Sequence, residues 1–168
     1  MIYKIQISIL IILITLISQA NSEEIKKMGK FKDWEVLTLI KDSNKICFAQ
    51  SMPVLQSPKK NTREARLFVS FRPKDKITDE VSVTSGYEYN KQNSIVAKSG
   101  KSKFKFDISQ EGFAWIAENK IEKKIIKKMK KASRIMITGY NQSGSQTIDH
   151  YSLMGFTKAY NAAKKNCS

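Results

Sequence analysis

The chain has 168 residues and a formal net charge of +15, with 26 lysines against 4 arginines. No internal repeat and no Pro- or Gly-rich linker divides it, which excludes a repeat or multidomain architecture. The charge would attract nucleic acid, anionic lipid or acidic polysaccharide. AT-rich coding also produces lysine, together with the observed bias of 21 isoleucines against 8 leucines, whereas a phosphate-binding surface usually favours arginine. Net charge alone therefore does not choose a partner.

The N-terminus predicts a secretory signal peptide over residues 1–22. A short positive head at residues 1–4 precedes an apolar run at residues 5–17, and small residues follow at the positions of a cleavage site. The run is shorter than the roughly 18 residues that a transmembrane helix needs. We therefore expect a cleaved, periplasmic or secreted protein without a transmembrane anchor, in which residues 23–168 form one domain. An uncleaved signal anchor is the alternative.

Cys47 and Cys167 are the two cysteines of the chain. In an oxidising compartment an even number of cysteines predicts a disulfide, here between an early strand and the C-terminus. Two free thiols or a metal pair are the alternatives. Two cysteines and His150 cannot fill a four-ligand zinc site, and no CxxC spacing supports redox chemistry. We therefore predict a structural disulfide, with no metal site and no cofactor.

The rest of the chain is dominated by short strand patterns. The predicted strands are residues 33–39, 46–51, 67–71, 80–84, 94–97, 103–108, 113–116, 134–140 and 146–153. Residues 55–64 read as a polar loop. In residues 103–108, Phe104, Phe106 and Ile108 alternate with charged residues, which predicts one buried and one solvated face. Seven to nine such strands with turn signals between them predict a mainly β, antiparallel sandwich.

Two helices are predicted among the strands. The first has an apolar stripe at helical spacing, made of Ile121, Ile125, Ile126, Met129 and Ala132. Asn119 is its expected N-cap, with Glu122 as the capping-box partner. A short second helix over residues 157–165 leads to Cys167.

The first helix also carries the most suggestive charge cluster, the basic segment 120–131. Its candidate residues for binding an anionic partner are Lys123, Lys124, Lys127, Lys128 and Lys131. One interpretation is a helix that binds a polyanion or a membrane surface. The other is a helix that docks its stripe on the sheet and leaves the lysines solvated, which the absence of Trp, Phe and Leu from the stripe favours. Lys103 and Lys105 would extend the basic surface if their strand lies beside the helix.

No catalytic arrangement is recognisable. His150 is the single histidine, and its neighbour Asp149 would point to the opposite face of a strand, so the two cannot form a Ser-His-Asp arrangement. GxSxG, P-loop and GxGxxG motifs are missing. We therefore predict a protein that is not an enzyme, with a hydrolase of unrecognised site as the remaining alternative. No helix-turn-helix, zinc finger or RRM motif indicates specific binding of nucleic acid.

A series of short motifs also resembles a known family. In chain order they are GKFKDW at 29–34, CFAQS at 47–51, FRP at 71–73, EVS at 80–82, AW at 114–115, MKKAS at 129–133, YSLMGFT at 151–157, and Cys167. Their order resembles the invasion-associated locus B family. The resemblance implies an exported bacterial protein with an immunoglobulin-like β-sandwich and a disulfide between the cysteines that match Cys47 and Cys167.

The family is named for a role in host-cell invasion and has no agreed catalytic residues to transfer. The chain departs from it in its lysine content and in Ala132, where glycine is common. Taken with the absence of a catalytic set, the resemblance leads us to expect a binding protein of the cell envelope. Its partner would be an envelope protein, a host-surface protein or a polyanion.

Overall fold

The computed structural model describes residues 24–41, 44–59 and 62–168, and within these ranges it contains two antiparallel β-sheets and two α-helices. The prediction of a mainly β, antiparallel sandwich is confirmed, while the immunoglobulin-like detail stays a prediction. The predicted signal peptide lies outside the described residues. Neither described helix is long and apolar enough to cross a membrane.

Among the described residues, ten strands precede the first α-helix, and two more strands separate it from the second. They are β1 (Glu24–Phe31), β2 (Trp34–Lys41), β3 (Asn44–Ser51), β4 (Leu55–Ser57), β5 (Arg66–Arg72), β6 (Ile77–Thr84), β7 (Ile95–Ser99), β8 (Ser102–Phe106), β9 (Ile108–Gln110), β10 (Phe113–Trp115), α1 (Asn119–Met129), β11 (Arg134–Tyr140), β12 (Gln146–Ser152) and α2 (Phe156–Asn166). In the described ranges the larger sheet has the order β1-β2-β3-β5-β6-β10-β9, and the smaller has the order β4-β12-β11-β7-β8.

The core lies between the two sheets and the two helices. Alternate residues of the central strands point inward, as in β2, where Trp34, Val36 and Thr38 are buried. The Trp34 indole N–H donates to the Ser152 carbonyl at 2.9 Å, and its ring meets the Phe156 ring at a centroid distance of 4.8 Å. Trp34 therefore fixes the start of α2 and the end of β12 against the larger sheet.

A disulfide joins β3 to the residue that follows α2. Cys47 and Cys167 are bonded, with their Cα atoms 5.7 Å apart and a sequence separation of 120 residues. Cys47 is fully buried, and α2 packs on β2 and β3 around it. The bond therefore ties the C-terminal helix to the middle of the larger sheet.

Helix α1 docks by its apolar stripe, as the second interpretation of the basic segment predicted. Ile125, Ile126 and Met129 are buried, and the helix packs on β6. The capping prediction is wrong: the N-cap is Glu118, which makes no side-chain cap bond, and Asn119 is the first helical residue. Glu122 is not free for a capping box because its carboxylate is used elsewhere.

The Glu122 side chain supplies β6 with a hydrogen-bond acceptor at the point where its pairing with β10 ends. β10 pairs with β6 only as far as Trp115 opposite Ser82, and the next backbone N–H of β6, that of Val81, donates to the Glu122 carboxylate at 2.9 Å. A buried N–H without an acceptor would cost free energy, so this bond anchors the helix to the sheet. Burial raises the pKa of Glu122, the Val81 bond opposes the rise, and the nearby carboxylates of Glu80 and Asp79 add to it.

The structure adds strands that the sequence patterns did not predict. β1 is an exposed edge strand without alternation, and β4 forms within the predicted polar loop by pairing with β12. The predicted strand 103–108 is divided, because the Asp107 N–H donates to the Trp115 carbonyl and the chain passes into β9 of the other sheet. Ile108 is consequently 48% exposed, which corrects its predicted place on a buried face with Phe104 and Phe106.

The disulfide predicts a large loss of stability on removal. A loop of 120 residues corresponds to about 4 to 5 kcal/mol in the chain-entropy model. We expect the double variant Cys47→Ala, Cys167→Ala to lose about 4 kcal/mol of unfolding free energy in urea titrations. Reducing agent should destabilise the wild type and leave the double variant unchanged. Free thiols in the native protein, or a loss below about 1 kcal/mol, would contradict this account.

We expect the buried Glu122 carboxylate to make the stability of the protein depend on pH. Its pKa is raised from the usual value of 4.5, so the folded protein binds this proton more tightly than the unfolded chain does. The contribution of Glu122 to stability should therefore fall as the pH rises from 4.5 through the higher folded pKa. Glu122→Gln keeps an acceptor for Val81 and does not titrate.

We expect the unfolding free energy of Glu122→Gln, relative to the wild type, to improve steadily over that pH range. Chemical denaturation at a series of pH values measures it. Glu88→Gln, at an exposed glutamate, is the matched control for the substitution itself. A difference between wild type and Glu122→Gln that is independent of pH would refute the assignment.

Candidate anion-binding site on the basic helix

The structure divides the lysines of α1 between two sides of the helix. On the side facing α2, four exposed lysines border a cleft of about 290 Å³, together with Asp79, Ile126 and Tyr160. We call this group the lysine cleft; its lysines are Lys123, Lys127, Lys130 and Lys131. On the other side, Lys120, Lys124 and Lys128 follow one another at four-residue spacing, and we call them the opposite flank.

Three of the five predicted candidates therefore meet in one place. Lys123, Lys127 and Lys131 belong to the lysine cleft, whereas Lys124 and Lys128 belong to the opposite flank. Lys130 was not among the candidates, although it lies over Tyr160 in the cleft. Asp79 and Tyr160 had no sequence signal, because each comes from another segment of the chain.

The floor of the cleft is a chain of three side chains. The Lys130 ammonium lies 3.6 Å from the centroid of the Tyr160 ring, a cation–π contact. The Tyr160 hydroxyl in turn donates to the Asp79 carboxylate. The aromatic ring also packs edge-on against Phe71, at a centroid distance of 5.5 Å. Lys130 is thus held over a ring that the core keeps in place.

Asp79 reaches this position through an irregularity in the sheet. The register between β5 and β6 shifts between Ser70 and Arg72, and Asp79 has φ 66° on the opposite strand. Bulges re-aim side chains, and Asp is among the residues that tolerate the left-handed region. Asp79 is therefore available to α2 as a hydrogen-bond acceptor.

Positive charge is concentrated around the lysine cleft. Burial lowers the pKa of Lys130, Asp79 opposes that effect, and Lys164 of α2 adds to it through charge repulsion. Among the described residues, no carboxylate oxygen lies within 4.0 Å of Lys123, Lys127 or Lys131. An anion between these ammonium groups would relieve their mutual repulsion.

Docking of the apolar stripe restricts how the helix can meet a membrane. An interfacial helix inserts its apolar face among the lipid chains, but Ile125 is fully buried and Ile126 is 5% exposed. Only the polar side of α1 remains accessible. Charge, rather than insertion, is therefore the means by which this helix can bind a partner.

The hairpin of β7 and β8 comes close to α1 at the turn between the two strands. A Cβ atom at Gly100, in the turn between β7 and β8, would lie 3.6 Å from the Lys128 ammonium. The hairpin therefore adjoins the opposite flank. Farther along the strand, Lys105 pairs with Asp107 at 3.8 Å, which offsets part of its charge.

His150 and Asp149 lie on opposite sides of β12, as predicted. The Asp149 carboxylate is fully buried and accepts two hydrogen bonds from the Arg63 guanidinium, at 2.5 and 3.0 Å. His150 is half-buried in the smaller sheet, opposite Met136 and Leu55. Asp149 therefore cannot orient His150. No cluster of metal-ligating side chains occurs in the part of the chain that the structure describes.

Comparison with known proteins identifies one family. The family model described as "Invasion associated locus B (IalB) protein" matches residues 34–164, which is most of the chain. The resemblance seen in the motifs is confirmed by this match. Searches of curated proteins and of solved structures returned no match.

We expect the Tyr160 hydroxyl to stabilise the folded protein through its hydrogen bond to Asp79. Tyr160→Phe keeps the ring beneath Lys130 but leaves the partly buried Asp79 carboxylate without its donor. A hydrogen bond to a charged group contributes about 1.5 to 3 kcal/mol, and we expect a loss of that size in urea unfolding. Tyr140→Phe is the matched control, since in the described part of the chain its exposed hydroxyl oxygen accepts a hydrogen bond from the Gln146 amide and has no other partner. Equal losses in the two variants would show that Asp79 does not depend on Tyr160.

Proposed function

The chain belongs to the invasion associated locus B family, and on that basis we propose that it is an extracytoplasmic binding protein whose partner is a polyanion, held by the lysine cleft. The partner class is an acidic polymer of a cell surface, recognised by the spacing of its anionic groups. The proposal does not require insertion into a membrane.

The observation that carries the proposal is the gathering of ammonium groups around the lysine cleft, three of which have no carboxylate partner among the described residues. Four lysines border an opening of about 290 Å³, and the one carboxylate among its lining residues already accepts from Tyr160. Like charges gathered on one side of a helix destabilise one another unless a counter-charge is bound. A polymer with several anionic groups can supply that counter-charge at several lysines together.

The compartment and the absence of a catalytic arrangement support a binding role. A disulfide between Cys47 and Cys167 persists in oxidising compartments, which agrees with export through the predicted signal peptide. The neighbouring His150 and Asp149 point apart, and Asp149 is committed to Arg63. Asp149 is thus occupied by a structural ion pair, while Lys123, Lys127 and Lys131 remain available to a partner.

The structure provides a charge-matched test of this proposal. The triple variant Lys123→Gln, Lys127→Gln, Lys131→Gln removes three charges from the lysine cleft. Lys120→Gln, Lys124→Gln, Lys128→Gln removes the same charge from the opposite flank of the same helix. Each lysine close to an anionic surface contributes about 1 kcal/mol, so three should account for roughly a hundredfold in affinity.

We expect the cleft variant to bind heparin roughly a hundredfold more weakly than the wild type at about 0.15 M salt, with a smaller salt dependence. The opposite-flank variant should lose less than about tenfold. Isothermal titration measures both, and urea unfolding verifies the folds. Equal losses would mean that net charge, not the cleft, attracts the polymer. Unchanged binding in both variants, or binding only to vesicles that contain phosphatidylglycerol, would refute the proposal.

A further inference from the structure

A second cleft lies at the N-terminal end of α1, where the helix meets β6 and β10. Its volume is about 390 Å³, within the range of small-molecule pockets. Trp115 forms part of its wall, and Arg72, Glu80, Asn119 and Glu122 contribute polar groups. We call it the tryptophan cleft. None of its lining residues belongs to the lysine cleft.

The aromatic wall extends beyond the tryptophan cleft along the outer face of the larger sheet. Trp115 stacks on Phe113 at a centroid distance of 5.9 Å and an interplanar angle of 30°. Phe68 follows at 6.1 Å from Phe113, and Phe48 at 6.0 Å from Phe68. Ala114, between the first two rings, is fully buried and points inward, so the rings face away from the smaller sheet.

The polar groups of the tryptophan cleft are fixed before any ligand arrives. Arg72 and Glu80 form a two-bond pair across the strands, at 2.9 and 2.7 Å. Glu122 is 5% exposed, and its Oε1 atom accepts from the Val81 N–H. Its second oxygen has no hydrogen-bond partner among the described residues, although the residue lines the cleft. This oxygen is therefore free to accept a hydrogen bond from a ligand in the cleft.

Formal charges in the tryptophan cleft balance. Arg72 and Lys76 face Glu80 and Glu122, in contrast to the excess of positive charge in the lysine cleft. A neutral ligand with many hydroxyl groups matches such a lining. Its C–H faces can stack on the indole ring, and its hydroxyls can donate to a carboxylate and accept from a guanidinium or an amide.

We propose that the tryptophan cleft binds a neutral oligosaccharide, with one sugar ring on Trp115 and its hydroxyls bonded to Glu122 and to the Arg72–Glu80 pair. The row of aromatic rings provides a surface for the following sugar units. This site is independent of the polyanion site: either can exist without the other.

The two tryptophans of the chain make the test direct. Trp34 is fully buried in the core, whereas Trp115 is partly exposed in the cleft, so acrylamide quenching of tryptophan fluorescence reports mainly on Trp115. The probes are cellohexaose, maltohexaose and the hexamer of N-acetylglucosamine. We expect at least one of them to protect Trp115 from quenching at about 1 mM, with an affinity that titration calorimetry confirms.

Variants separate a binding role of Glu122 from its structural one. Glu122→Gln retains the acceptor for Val81 but replaces the free oxygen with a donor, so we expect saccharide binding at least tenfold weaker in a folded protein. Glu35→Gln makes the same chemical change on another part of the larger sheet and should bind normally. Trp115→Leu should abolish binding, and if it fails to fold, the Glu122→Gln comparison stands alone.

The outcomes distinguish this proposal from the polyanion proposal. Loss of heparin binding in the lysine-cleft variant should leave hexasaccharide binding unchanged. Absence of protection by all three hexasaccharides at about 10 mM would overturn the saccharide site and leave the polyanion site unaffected. Equal hexasaccharide affinity in Glu122→Gln and Glu35→Gln would overturn it as well.

Discussion

Burial of the apolar stripe of α1 against β6 determines which parts of this helix can act on other molecules. The stripe covers β6 of the larger sheet, and Glu122 completes the attachment by accepting a hydrogen bond from the Val81 N–H. With its apolar side buried, the helix presents only polar groups. One side then meets α2 at the lysine cleft, and the N-terminal end meets β10 at the tryptophan cleft.

The attachment of α2 by the Cys47–Cys167 disulfide matters to the lysine cleft as well as to stability. α2 carries Tyr160, whose ring supports Lys130 and whose hydroxyl bonds Asp79. If the C-terminal helix moved away from β3, both contacts would be lost together. The disulfide and the aromatic contacts of α2 therefore maintain the geometry of a surface site that contains neither cysteine.

Local sequence patterns predicted most of the regular strands and both helices. Strand-forming runs next to turn signals predicted β2 and β11, and helical spacing predicted the buried side of α1, because these patterns depend only on neighbouring residues. The capping-box role of Glu122 failed because the end of β10 leaves the Val81 N–H in need of an acceptor, and that need arises from contacts between distant segments. β1 and the exposure of Ile108 were missed because edge strands need no alternation and because β9 changes sheets.

The sequence predicted the lysines of the candidate site, but it did not predict the residues from other segments that complete the lysine cleft. A helical projection identifies Lys123, Lys127 and Lys131 as solvent-facing, but it cannot say which side of the helix meets another element. Asp79 turns toward α2 only because the register of β5 and β6 shifts, and Tyr160 lies 81 residues farther along the chain. Contacts of this separation leave no trace in a local pattern.

Coding bias can explain how many lysines the chain has, but not where the fold places them. A coding bias changes how often a residue type occurs, but not where it lies in the fold. Lys27 of β1, for example, forms an ordinary ion pair with Glu35 on the neighbouring strand at 2.5 Å. Within residues 120–131 there are seven lysines, and the one held over Tyr160 is fixed by residues from two other segments. Because that arrangement requires β6, α1 and α2 together, the lysine cleft is a property of the folded structure and is not explained by composition alone.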